Sequence, residues 1–319
     1  MEITITSAEA NQRIDKFVRR WIKEAPLSFI YKLFRQKDVK VNGKKAKIDY
    51  ILQDGDRIDI YLKPQLLDKF KKDYVIRPVK AKLDILYEDT NILVVNKPAG
   101  LIVQSDGDTR MTLASIFLEY LKEKGEFDPT KSFGFLPGPA HRLDRNTSGV
   151  VICGKNLMAI QELLRLFRER DQIDKTYIAL VKGQIDEEGR IDIPLKKDPE
   201  RGMVYKSTLK QGGKTAITEY QRIKAYSDFS LVKVHLLTGR THQIRAHFAF
   251  ISHPVVGDGK YGDFKVNKEF DDLYGLHYQF LHAASFSFLN PSGPLSYLSG
   301  RAFEAPLPAK LKEILDQLG

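Results

Sequence analysis

The segment His141-Arg142-Leu143-Asp144-Arg145-Asn146-Thr147-Ser148-Gly149 sets one carboxylate between two arginines and follows it with small polar residues. Cations on both sides favour the ionised form of Asp144. An ionised aspartate can act as a nucleophile, or it can anchor a salt bridge, the commoner use of such a group. A second segment, Leu237-Thr238-Gly239-Arg240-Thr241-His242-Gln243-Ile244-Arg245-Ala246-His247, gathers two arginines and two histidines. It reads either as a helix start, with Thr241 as N-cap and a solvated polar face, or as the second half of an anionic site. Tyr177, in the run Lys175–Val181, reads on its own as a core tyrosine of a strand.

Other chemistries find no support. Gly213-Lys214-Thr215 lacks the glycine that a phosphate loop needs five residues earlier, where Thr208 stands. No G-x-G-x-x-G opens a helix. Thr147-Ser148-Gly149 is not a nucleophile elbow, because Asn146 occupies the place of the first glycine, so a hydrolase built on Ser148 is a weak third reading. His242 and His247 stand five apart and would not share a helical face, and no H-E-x-x-H is present, so no metal is expected. Cys153 is the only cysteine, which excludes an intrachain disulfide and multi-cysteine metal sites. It sits in an apolar run and reads as buried and inert.

The elements that must position these groups lie mostly after residue 80. Leu83–Tyr87 and Asn91–Val95 are apolar runs split by Glu88-Asp89-Thr90 and read as strands. Lys175–Val181, Thr218–Ile223, Leu231–Leu236 and Phe280–Phe288 read likewise. Met111–Lys122 and Asn156–Glu169 have helical periodicity, and Thr241–Phe250 and Ala309–Leu318 are further helices. Without a regular βαβ rhythm, the spacing predicts an α+β domain with a mixed, mainly antiparallel sheet.

The first 62 residues form a separate basic module. Ile14, Phe17, Val18, Trp21 and Ile22 recur at helical spacing, as do Ile30, Leu33 and Phe34 after Pro26, with Ser28 as N-cap. The outward face is expected to carry Arg13, Lys16, Arg19, Arg20, Lys32, Arg35 and Lys37. Short strands at Val39–Val41 and Arg57–Leu62 flank the turns Asn42-Gly43 and Asp54-Gly55-Asp56. This stretch resembles the compact RNA-binding domain shared by a small-subunit ribosomal protein and bacterial tyrosyl-tRNA synthetases. The resemblance implies a small N-terminal α/β RNA-binding domain over residues 1–62, and the weakly periodic, lysine-rich segment 63–80 reads as a linker.

From about residue 81 onward the chain resembles the RluA-type family of RNA pseudouridine synthases. The resemblance is carried, in order, by Asn96-Lys97-Pro98-Ala99-Gly100-Leu101, His141-Arg142-Leu143-Asp144 with Thr147-Ser148-Gly149 and Lys155, Lys175-Thr176-Tyr177 with Gly183, and Thr238-Gly239-Arg240-Thr241-His242-Gln243-Ile244-Arg245. His253-Pro254, Gly257-Asp258, Tyr261-Gly262 and Leu281-His282-Ala283 follow. Gln104 and Gly154 depart from the family pattern, away from the implied chemistry. The resemblance implies a catalytic domain over 81–319 with a central cleft, Asp144 as the catalytic carboxylate, and Arg245 as its partner. Tyr177 would face the uracil, and Arg142 would fill the place of a displaced base, contact phosphate or form a structural ion pair. His141 would orient its loop, and His242 and His282 would be structural. Uridine and pseudouridine are isomers, so no cofactor is expected. A non-catalytic RNA-binding protein on the same fold is the alternative.

Charge agrees with an RNA partner. The chain has 51 Lys and Arg against 41 Asp and Glu, a net +10. Residues 1–80 hold 19 and 11 of these, leaving only +2 for the remaining 239 residues. Such asymmetry fits a basic module that meets a polyanion. Ribosomal RNA is the favoured substrate, with transfer RNA the other possibility. No apolar run reaches the roughly 18 residues a membrane helix needs, and no secretory signal opens the chain. A cytosolic monomer is expected.

Overall fold

The computed structural model describes residues 2–6, 9–70, 81–104, 111–129, 135–169 and 172–319. The N-terminal part contains β1 (Glu2–Thr4), α1 (Ile14–Trp21), α2 (Leu27–Gln36), β2 (Val39–Val41), β3 (Lys44–Lys45), β4 (Arg57–Ile60) and α3 (Pro64–Phe70). Its four strands pair in the order β1-β4-β2-β3. Ile14, Phe17, Val18 and Trp21 are buried on α1, as the helical period requires, and pack with Ile30, Leu33, Val39 and Ile58. Asn42 and Gly43 both take positive φ, the requirement of a two-residue hairpin turn of the primed type.

Three expectations for this part need correction. Ser28 is not an N-cap, because α2 already begins at Leu27 behind Pro26. The segment 63–80 is not simply a linker. Pro64 opens α3 at the first helical position, where its missing N–H costs nothing. Leu66, Leu67 and Phe70 of α3 pack on the module core, which therefore extends past residue 62. Residues 71–80 lie outside the described residues. Arg20 is not on the outward face. It falls beside Phe17 on the flank of α1, half-buried, and its Nε meets no hydrogen-bond partner among the described residues. The other six basic residues are exposed, although Arg13 is already engaged by Asp15 at 3.0 and 3.1 Å.

The larger part contains β5 (Ile85–Glu88), β6 (Ile92–Lys97), α4 (Leu113–Glu123), β7 (Gly138–Pro139), β8 (Ser148–Gly154), α5 (Leu157–Leu166), β9 (Ile173–Lys182) and β10 (Glu188–Asp192). Next come β11 (Leu195–Asp198), β12 (Met203–Lys206), β13 (Ile217–Ala225), β14 (Phe229–Leu236), α6 (Gln243–Phe250), α7 (Phe264–Tyr274), β15 (Leu281–Phe288), β16 (Ala302–Glu304) and α8 (Ala309–Gln317). Among the described residues ten strands form one sheet, ordered β10-β13-β14-β9-β15-β8-β6-β5, with β16 beside β15 and β7 beside β8. Every pairing in it is antiparallel except β8 with β15. The α+β, mainly antiparallel reading holds.

Alternating side chains build a core on each face of the sheet. Ile92, Val94, Val150 and Ile152 pack under Ala159, Leu163 and Leu166 of α5. Their neighbours Leu93, Val95, Val151 and Cys153 pack under Leu113, Phe117 and Leu121 of α4. In the other half, Ala179, Val181, Val232 and Val234 meet Ile244 and Phe248 of α6. Leu180 and Leu231 meet Phe270 of α7 and Leu311 and Ile314 of α8. Covered on both sides, β8 is buried along its length, and after Ser148 its residues are apolar rather than alternating.

Candidate active site

Asp144 lies four residues before β8 on the loop that enters the middle of the sheet. Its backbone carbonyl accepts the N–H of Thr147 at 3.1 Å, which closes the loop into a turn. Arg245 comes from α6, a hundred residues away, and its Nη1 donates to Asp144 Oδ2 at 2.8 Å. The two arginine-rich segments thus meet, and Arg245 is the partner of Asp144. Tyr177 projects from β9, where it pairs in register with Val234 of β14 and Ala283 of β15. All three residues line a cleft of about 1220 Å³, and so does Arg142, which is exposed beside it. Of the described residues lining the cleft, Asp144 is the only carboxylate and eight are Lys or Arg. Such a wall gathers anions and leaves a single basic oxygen pair at its centre.

Arg245 is held more firmly by a residue that the sequence reading quoted but gave no role. Asp258, with a side chain fully removed from solvent, takes Nε at 2.6 Å and Nη2 at 2.8 Å. Burial works against the charge of Arg245, but bonding to Asp258 and then the charge of Asp144 hold its pKa above the usual arginine range. Asp258 Oδ1 also accepts the backbone N–H groups of Lys260 and Tyr261 at 2.8 and 3.1 Å. The signal available in sequence was an acidic residue just after Gly257 that no surface role required.

Lys97 is a second residue whose sequence context announces no role. It is fully buried at the end of β6, and its Nζ donates to the carbonyls of Pro98, Leu101 and Arg145 at 2.8, 2.9 and 2.9 Å. It ties the loop after β6 to the loop carrying Asp144. Burial pushes its amine down to about 7, against the pull of Asp144. His141 accepts the N–H of Ile152 at its Nε2, 3.1 Å away, and burial followed by Lys175 pushes its pKa down to about 3. A neutral ring fixed to β8 orients the loop, as its sequence context led us to expect. Burial first, and Asp144 second, raise the phenol of Tyr177.

Ser148 is buried and does not line the cleft. Its Oγ lies 2.8 Å from His282 Nδ1, whose other ring nitrogen faces the Ala305 carbonyl at 3.0 Å. His282 Nε2 therefore carries the proton, Ser148 donates to Nδ1, and the pair fastens β8 to β15. The Ser148 hydrolase reading has no site to act in. Cys153 is buried, and burial raises its thiol, so it is inert as expected. Thr241 does not cap α6; His242 stands at that position, in a left-handed turn that moves the helix start by one residue. His242 reaches to 3.9 Å from Asp144, a proximity the sequence reading missed.

Fold and cleft define an RNA-modifying enzyme, and the chain belongs to the RNA pseudouridylate synthase family, whose model matches residues 91–250. Residues 12–58 match the S4 domain. The ribosomal large subunit pseudouridine synthase C of Escherichia coli (strain K12) is 34% identical over 325 residues, covering 99% of this chain and 96% of that one. An uncharacterized RNA pseudouridine synthase of Aquifex aeolicus (strain VF5) is 39% identical over 274 residues, 83% of this chain and 82% of that one. Among solved structures, human RNA pseudouridylate synthase domain containing 4 shares the fold, with a TM-score of 0.57 and 24% identity over 73% of this chain and 92% of that one. The protein is an enzyme, an isomerase that forms pseudouridine in RNA.

Proposed function

We propose that this isomerase acts on uridines of large-subunit ribosomal RNA and that Asp144 performs the chemistry. The observation that carries the residue assignment is the Asp144–Arg245 pair, in which Asp144 is the only carboxylate among the described residues lining a cationic cleft. The nearly full-length similarity to a ribosomal large subunit enzyme supports the choice of ribosomal over transfer RNA.

The reaction breaks the bond from ribose to uracil N1, turns the base, and bonds C5 to the same ribose carbon; C5 then loses its proton and N1 gains one, so the product is an isomer. One carboxylate near the anomeric carbon suffices, whether it attacks that carbon or assists proton removal from the sugar. Hydrolysis of a glycosidic bond ordinarily uses two carboxyl groups, the second handling water or the leaving group. Asp258, the nearest candidate for a second, is buried and has both oxygens engaged by Arg245. The site therefore favours rearrangement. Tyr177 offers a ring face to the uracil and a hydroxyl near C5. Arg142, planar and exposed at the cleft, is placed to fill the gap left by a base swung out of its stack, a displacement that costs a few kcal/mol. The basic module supplies affinity rather than chemistry. Action on ribosomal RNA would place the protein in the cytoplasm, and no helix among the described residues is long and apolar enough to cross a membrane.

The test is incubation with ribosomal RNA and transfer RNA from cells lacking the enzyme, followed by pseudouridine mapping. Large-subunit RNA is expected to gain pseudouridine; gain in transfer RNA alone would overturn the substrate. Asp144→Asn is expected to abolish turnover while leaving RNA affinity within about twofold, since phosphate contacts elsewhere dominate binding. Full activity in that variant would overturn the residue assignment.

A further inference from the structure

His242 occupies a conformation that its neighbours in sequence do not call for. Its φ is +52°, in the left-handed region that non-glycine residues seldom enter and that histidine tolerates better than most. It stands at the N-cap of α6 yet makes no side-chain bond to the helix. The ring turns instead toward the cleft, with Nδ1 3.0 Å from Tyr261 Oη and Nε2 3.9 Å from Asp144 Oδ1.

The hydrogen bonds assign the tautomer. Tyr261 Oη accepts the N–H of Val204 at 2.7 Å. Its own proton needs an acceptor, and His242 Nδ1 is the one in reach. A neutral imidazole that accepts at Nδ1 carries its proton on Nε2. That N–H faces Asp144 Oδ1, whereas Arg245 holds the other oxygen, Oδ2, at 2.8 Å. The charged groups around the ring are Asp144, Arg245, Lys260 and Asp258, with the phenol of Tyr261 alongside. Burial is the largest influence and pushes the imidazole below the usual histidine range; Arg245 and Lys260 add to this, while Asp144 and Asp258 oppose it. The ring is neutral at pH 7, as the assigned tautomer requires.

We propose that His242 is a positioning residue for pseudouridine formation, its Nε2–H confining the second oxygen of Asp144 while Tyr261 fixes the ring. The role rests on Asp144 being the reacting carboxylate. Arg245 bonds one oxygen at 2.8 Å, and the imidazole edge 3.9 Å from the other bounds the swing of the carboxylate without bonding it, which narrows its orientation toward an entering ribose. Tyr261 carries the restraint further, because Val204 lies in β12, and β11 of the same hairpin places Lys197 on the cleft wall. The hairpin is thereby joined to Asp144 through two side chains, Tyr261 and His242.

Three variants and one spectrum test this. Asparagine accepts a left-handed backbone and can replace Nδ1, but it has nothing at the Nε2 position. His242→Asn is expected to lower kcat about tenfold or more with KM for RNA nearly unchanged, the mark of lost orientation rather than lost binding. His242→Gln, whose amide reaches the Nε2 position, is expected to recover most of that loss, which a merely structural role would not show. Tyr261→Phe, which removes the proton that sets the tautomer, is expected to fall between them. In wild-type protein with 15N-labelled histidine, His242 is expected to show a protonated Nε2 and a bare Nδ1 at pH 7. The Nε2 resonance is expected to move in Asp144→Asn. A protonated Nδ1, an unmoved resonance, or wild-type kcat in a folded His242→Asn would each overturn the role, and the spectrum decides if the variant does not fold. Should Asp144→Asn remain active, the reading of Asp144 fails whatever the tautomer; should it be inactive while His242→Asn is not, only the role of His242 fails.

Discussion

Arg245 stands between two carboxylates with opposite duties. Its guanidinium is a rigid planar fork, so fixing two nitrogens fixes the direction of the third. Asp258 takes Nε and Nη2 from a fully buried position, and Nη1 is left aimed at Asp144, which is partly open to the cleft. A lysine could satisfy either carboxylate but could not transmit the orientation of one to the other. Asp258→Asn keeps the shape and loses one charge-assisted bond, setting an amide N–H against the guanidinium. It is expected to cost about 3–5 kcal/mol, as breaking a buried pair does, measured by urea unfolding. Below its unfolding transition it is also expected to lose about ten- to a hundredfold in kcat, because Nη1 no longer points reliably at Asp144. Wild-type kcat with reduced stability would show that Asp258 serves the fold alone.

Among the elements, the parallel pairing of β8 with β15 does most to place the site. Its register sets Ser148 against His282 and Gly149 against Ala283, just where the loop carrying Asp144 ends. Gly149 has φ +112°, and a Cβ there would strike the carbonyl of Ala283. Only glycine lets the two backbones approach, so Gly149→Ala is expected to destabilise by roughly 3 kcal/mol or more, a backbone-strain case at the severe end. A lowered melting temperature with parallel loss of activity would be the readout, and a near-neutral result would mean that β8 can shift away. Much of this architecture was legible: β8 is a continuous apolar run, and α4 and α5 bury residues at helical spacing. Its partner was not, because a period of two says which face a strand buries and nothing about which strand lies beside it. Helix α7 was missed because, of its eleven residues, only Phe270 is buried. Helix α3 was hidden by the lysine-rich, weakly periodic segment around it, although Pro64 at its first position was a usable sign. In the site, Asp144 and Arg245 were legible as chemistry-bearing types in dense segments, whereas Tyr177 read on its own as a core residue and only the family resemblance pointed it at the cleft. Asp258 had no role assigned and His242 was expected to be structural, because turns that the sequence does not announce bring them back onto Arg245 and Asp144.

Over the whole molecule, charge divides the work between affinity and chemistry. The cleft wall is cationic, but the first 80 residues hold +8 of the net +10. Each phosphate neutralised by a lysine or arginine releases counterions, so the logarithm of affinity falls with the logarithm of salt by about 0.7 per contact on single strands and 0.9 on duplexes. Removing residues 1–62 would test this poorly, since it strips Leu66, Leu67 and Phe70 of the core they cover. Neutral substitution within the intact chain is cleaner. Lys16, Arg19, Lys32 and Arg35 are exposed, whereas Arg13 is occupied by Asp15 and Arg20 is half-buried. Changing those four to glutamine is expected to weaken RNA binding and reduce the salt slope by up to about three, the sum of four single-strand contacts. The maximal rate at saturating RNA should stay near that of the unchanged enzyme, because none of the four lines the cleft. A slope that does not change would show that this face does not meet phosphate, and the cationic wall around Asp144 would then have to account for the affinity by itself.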